Sequence, residues 1–108
     1  MPKYSIVILE SVEKTIRNNF DYIANALGNE SAAYAHTADI YRLIMSLETF
    51  PERYQIYEGY PNPVFRVARI RQYRIFYQVN KKRKIIYIVD LMHSHQNPED
   101  LDLGSAAV

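Results

Sequence analysis

Four arginines, Arg66, Arg69, Arg71 and Arg74, are threaded through VFRVARIRQYRIFYQV, residues 64–79, and two histidines, His93 and His95, follow the next β-rich run in DLMHSHQNPEDL. Guanidinium groups hold phosphates through charge-assisted hydrogen bonds, and imidazole exchanges protons near neutral pH. Cations beside a proton donor or acceptor are what phosphoryl transfer without a metal requires. Tyr54, Tyr57, Tyr60, Tyr73 and Tyr77 add rings of the kind that stack on unpaired RNA bases. The simpler assignment is structural: a solvated basic face, an ion pair between Arg74 and Asp90, tyrosines in the core, and histidines as polar residues at a strand end. The HxH spacing suits zinc in principle, but no third ligand stands at a convincing spacing and His36 falls on a helix elsewhere, so no metal or other cofactor is expected.

Charge is distributed unevenly. The net charge is only +1, yet Arg66, Arg69, Arg71, Arg74 and the turn KKRK, Lys81 to Lys84, occupy a stretch from Pro61 onward that contains no acid. Acids outnumber bases on both sides of it. A basic block between acidic ones points to a polyanionic partner. With 108 residues, the chain should form one domain, 1–108, of which about 99–108 is a short, frayed tail. There is no cysteine, which excludes disulfides and thiolate chemistry. No apolar run is long enough to cross a membrane and nothing at the amino terminus reads as a signal peptide, so a cytoplasmic location is expected.

The elements that must position these groups follow from periodicity. KYSIVIL, residues 3–9, reads as a first strand. Ser11 can cap a helix whose apolar stripe is Val12, Ile16, Phe20, Ile23 and Leu27, and Gly28 stops it. Ser31 can cap a second helix, with Ala33, Ile40, Leu43, Ile44 and Leu47 on one side and Pro51 as its end. VFRVARI, YRIFYQVN and KIIYIVDLM are three further strands, joined by tight turns near Arg71 and Gln72 and at KKRK, hence antiparallel. The order β-α-α-β-β-β predicts an α+β domain with a helical hairpin packed on one face of a mainly antiparallel sheet. Strict alternation would put Phe65, Val67, Arg69 and Arg71 on one side of the sheet. A bulge near Val67 and Ala68 would relieve that mixture, turning Phe65, Val67 and Ile70 toward the helices and the arginines away.

The order of elements, together with IMSLETFPERY, the hairpin FRVARIRQYRIFYQV and the closing IIYIVDLMHSH, resembles the RelE/ParE superfamily of toxins from bacterial type II toxin-antitoxin modules. The resemblance covers roughly Tyr4 to Leu101. It implies a toxin restrained by a cognate antitoxin, with one of two mechanisms, of which ribosome-dependent mRNA cleavage is the expectation for this sequence and gyrase inhibition the alternative. RelE-like members act on the ribosome as metal-independent mRNA endonucleases, using the 2′-hydroxyl as nucleophile; ParE-like members inhibit DNA gyrase by binding. On the nuclease branch, Arg74 matches the arginine that stabilises the phosphorane, Arg66 would hold the phosphate, and His93 would move the proton, with His95 as its alternative. Arg69, Arg71, His95, Lys81, Lys82 and Tyr77 would then contact RNA. Two departures weigh against that branch: no Arg or Tyr follows Tyr87, and Val67 and Ala68 stand where many relatives carry paired lysines.

Overall fold

A computed structural model describes residues 3–59 and 64–93. Strand β1 spans Ser5–Ile8, helix α1 Glu10–Asp21, and helix α2 Glu30–Ser46; strands β2, β3 and β4 span Arg66–Ile70, Tyr73–Asn80 and Ile85–His93. The sheet order is β1-β4-β3-β2, with β1 parallel to β4 and the other pairs antiparallel. Both helices lie against one face, where Val12, Ile16, Ile40, Ile44 and Leu47 pack on Ala68, Ile75, Tyr77, Ile86, Ile88 and Leu91. This is the expected α+β arrangement. No helix among the described residues is long and apolar enough to cross a membrane.

The helix ends differ in detail from the expectation. α1 begins at Glu10, with Leu9 at the cap position and no side-chain cap; Glu10 and Glu13 in the first turn complement the helix dipole instead. α2 is capped by Asn29, whose Oδ1 accepts from the Ala32 amide at 3.0 Å, rather than by Ser31. Gly28 ends the first helical segment with φ +63°, a conformation that costs glycine little. Between them, Tyr22–Ala26 form a π turn, and the Leu27 amide bonds back to the Tyr22 carbonyl. The wider turn breaks the 3.6-residue stripe, so Val12 and Ile16 are buried while Leu27, predicted to be apolar core, is 60% exposed.

A bulge exists, but on a different strand. β2 pairs with β3 in unbroken register, from Arg66 opposite Tyr77 to Ile70 opposite Tyr73. The interruption lies in β4, where Phe76 pairs with Asp90 and Tyr77 with Ile88, leaving Val89 as the extra residue. Arg66, Ala68 and Ile70 therefore share the helix side with Tyr73, Ile75 and Tyr77. Phe65, Val67 and Arg69 share the outer side with Arg74 and Phe76. That outer side is not plainly solvated: Phe65, Val67, Phe76, Val89 and Met92 form a second apolar cluster, flanked by Leu9, Tyr57 and Tyr87. The mixture of apolar and charged residues that the bulge in β2 was expected to remove is real, because this face has a small core of its own.

Candidate functional site

On the outer face, Arg69 and Arg74 stand directly opposite each other in the β2–β3 ladder. They line a cleft of about 560 Å³ with Val67 and Phe76 at its base and the segment Gln55 to Gly59 as its wall. That wall is held to the edge of β2 by hydrogen bonds from Tyr57 N to Phe65 O, 2.8 Å, and from Val67 N to Gln55 O, 3.0 Å. The Tyr57 ring meets Phe76 edge-on at 5.1 Å, and it lies so close to Gly59 that any side chain there would collide with it. The Arg74 guanidinium lies over the Phe76 ring, 5.9 Å from its centroid, with Nη2 3.8 Å from Met92 Sδ. Asp90 is its diagonal neighbour on the same face, through the pairings Arg74 with Met92 and Phe76 with Asp90. Arg69 is exposed and makes no ion pair among the described residues. Two guanidiniums over an aromatic floor, with a tyrosine at the side, suit an acidic or phosphate-bearing partner surface.

The remaining predicted site residues are drawn to other places. Arg66, on the edge strand, is among the residues that line this cleft, but its guanidinium is drawn to the helix side, where Nη1 donates to Tyr54 O at 2.7 Å and Nη2 lies 3.4 Å from Glu52 Oε2. It fastens the segment after α2 to the sheet. Glu52 also takes Lys81 Nζ at 2.9 Å, and Lys81 in turn, followed by Arg66, holds the carboxyl below its usual range. Lys82 is exposed in the β3–β4 turn. Tyr77, expected to meet RNA, is fully buried; its hydroxyl donates to Pro51 O at 2.7 Å, and burial pushes its pKa up to about 12. A ring enclosed in this way cannot stack on a base. Arg71, with φ +53° at the β2–β3 turn, binds Asp39 of α2 through Nε at 3.1 Å and through Nη2.

His93 pairs with Tyr73 across the ladder and so faces the helix side, opposite to Arg74. Its Nε2 lies 3.2 Å from Gln72 Oε1, and its ring meets Tyr73 edge-on at 5.2 Å. The expected convergence of Arg66, Arg74 and His93 on one phosphate is therefore not what the strands build: Arg66 and His93 fall on one side of the sheet and Arg74 on the other. His95, Tyr60 and the tail lie outside the described residues. One residue that sequence reasoning set aside, His36, sits beside Tyr73 with ring centroids 4.9 Å apart. The signal for it was present, since His36 occupies the buried side of α2 between Ala33 and Ile40. Among the described residues no three His, Asp or Glu side chains come together as a metal site would need.

Comparison with known proteins places this geometry in a class. A family profile described as ParE toxin of type II toxin-antitoxin system, parDE, matches residues 6–98. The chain thus belongs to the ParE toxin family of type II toxin-antitoxin systems. Solved structures share the fold at low identity. The archaeal RelE-RelB complex from Pyrococcus horikoshii OT3 superposes with a TM-score of 0.57 and 24% identity, over 88% of this chain and 99% of that one. A free-state mutant of the E. coli toxin RelE gives a TM-score of 0.59 and 14% identity, over 86% and 85%. The Mycobacterium tuberculosis toxin-antitoxin complex RelBE2 gives 0.54 and 15%, over 84% and 98%. No curated protein matches the chain in sequence.

Proposed function

We propose that this toxin acts by binding, in the manner of ParE-like gyrase inhibitors, and that the outer-face cleft around Arg69 and Arg74 is its contact surface. The observation that carries this reading is the alternation of β2 and β3, which puts Arg74 and His93 on opposite sides of the sheet and engages Arg66 in holding the segment after α2. A nuclease needs cation, acid and base around one scissile phosphate; a binding toxin needs only a complementary surface. The cytoplasm, where gyrase works, would be its site of action. A cognate antitoxin, in keeping with the two complexes among the similar structures, would restrain the toxin by laying an acidic segment over the basic cleft.

Pulse labelling after induction tests the reading. Thymidine incorporation should fall before methionine incorporation, and purified protein should inhibit DNA supercoiling by gyrase. Arg74→Ala and Arg69→Ala should each relieve growth arrest, while His93→Gln should not. Early loss of methionine incorporation, with cleaved messenger on ribosomes and relief by His93→Gln, would instead establish the endonuclease reading with Arg74, Arg66 and His93 as its machinery.

A further inference from the structure

The basic turn KKRK, residues 81–84, serves neither the outer-face cleft nor the core. It closes the β3–β4 hairpin between the paired residues Asn80 and Ile85. The length of β3 separates it from Arg74, roughly 20 Å at about 3.3 Å per residue. All four of its side chains are exposed. Lys81 pairs with Glu52, and Lys84 Nζ stands 5.0 Å from the centroid of the Tyr4 ring, whereas the side chains of Lys82 and Arg83 make no ion pair or hydrogen bond among the described residues. A fifth cation stands close by: the Ser5 amide donates to Lys84 O at 2.9 Å, which brings the start of β1 beside the turn, and Lys3 is held there only by a 3.6 Å pair with Glu48 that leaves it 67% exposed.

The backbone carries a second observation. Asn80 Oδ1 accepts from the Arg83 amide at 3.0 Å, which fixes the turn and so the direction of its cations. Lys84 has φ +59°, a conformation that strains a residue with a Cβ and that glycine or asparagine adopts at less cost. Adjacent like charges repel one another as well. The chain's own acids offset little of this, since Lys81 alone of the four is paired with one among the described residues. A strained turn that keeps exposed, unpaired cations fits contact with an anion from outside the chain.

We infer that the β3–β4 turn grips the sugar-phosphate backbone of duplex DNA without reading its sequence. A duplex offers closely spaced phosphates to a row of cations, and contacts of that kind fix position but carry no base information. Single strands are held by rings on which bases stack, and the ring beside the turn, Tyr4, lies under Lys84. A bilayer surface or an acidic protein segment gains from apolar contact too. The turn itself has no apolar side chain, and in the hollow beside it only Val64 is both apolar and exposed. Because the turn stands apart from the Arg69–Arg74 cleft, a protein in the cleft and DNA at the turn can be bound together. The duplex follows from the turn; the choice of DNA over RNA rests on the gyrase reading above.

The test uses the full chain and the fluorescence anisotropy of a short labelled DNA duplex of arbitrary sequence, titrated at several salt concentrations. With Lys82, Arg83 and Lys84 each neutralising one phosphate, log K should fall against log salt with a slope of about −2.7, so that affinity drops about 40-fold between 50 and 200 mM salt. Lys82→Ala combined with Arg83→Ala should bring the slope to about −0.9. Lys14→Ala combined with Arg17→Ala, which removes the same charge from exposed positions of α1, should leave it unchanged. Four results would each overturn the proposal: no salt-dependent binding by the folded protein; an α1 variant that loses as much slope as the turn variant; a single strand or an RNA duplex bound as tightly as the DNA duplex; phosphatidylserine vesicles bound as tightly. The assay contains neither gyrase nor growing cells, so this proposal and the cleft reading can fail separately.

Discussion

Arg66 and Arg69 stand on the same short strand, three positions apart, and meet opposite fates. Arg66 turns to the helix side, where a backbone carbonyl and Glu52 engage its guanidinium and leave the side chain only 18% exposed. Arg69 turns outward and faces Arg74 across the ladder, two like charges in register on the edge of an open cleft. Like charges directly opposite each other are destabilising in a sheet. The fold therefore spends its helix-side arginines on its own architecture and leaves Arg69 exposed on the outer face. Arg71 belongs with Arg66 in this division, since Asp39 holds it.

The comparison breaks most visibly at the residues beneath it. Tyr77→Ala should destabilise by about 3–5 kcal/mol, as expected for emptying a buried aromatic site, and denaturant unfolding measures it. Tyr77→Phe isolates the hydrogen bond to Pro51 O and should cost about 1 kcal/mol. Arg66→Ala comes next, at about 1.5–3 kcal/mol, because it leaves the Tyr54 carbonyl without its charged donor. Arg69→Ala should change stability by no more than about 0.5 kcal/mol and could raise it, yet reduce toxicity strongly. If Arg66→Ala and Arg69→Ala had the same effect on unfolding, the division between the two sides would be wrong.

Element order was legible because each device acts locally: four-residue spacing in Val12 and Ile16, the left-handed Gly28, Pro51 after the second helix, and alternation in YRIFYQVN. The direction of each arginine was not. The phase of β2 depends on whether its strand is interrupted, and the interruption lies in IVD of β4, where no glycine or proline marks it. The outer apolar cluster misled in the same way, since Phe65 and Val67 look like helix-facing core until a second core is known to exist. The π turn at YIANA has no composition that separates it from an ordinary helix, so Leu27 was assigned to the wrong side. The union of His36, Tyr73 and His93 depends on tertiary packing that no local spacing encodes.

The smallest effect sharpens the comparison at the helix side's far end, through pH. His36 is held below 6.5 in the folded protein, chiefly by burial and then by Arg71, with Asp39 opposing. Once unfolded, the same imidazole binds a proton near 6.5, so below that pH the unfolded state carries more protons than the folded one. Stability must then fall as pH drops from 6.5 toward the folded value, and level off beneath it. Asp39 acts in a separate window: Arg71 first, and then Arg42, hold its carboxyl below 3.8, so its contribution is present above 3.8 and is lost as acid drives pH through its lower folded value. Comparing thermal midpoints at mildly acidic and neutral pH, the parent should lose more stability on acidification than His36→Phe, whereas Asp39→Asn should alter the profile chiefly at strongly acidic pH. Equal slopes for parent and His36→Phe between neutral and mildly acidic pH would mean that burial in the fold does not lower the imidazole's affinity for a proton.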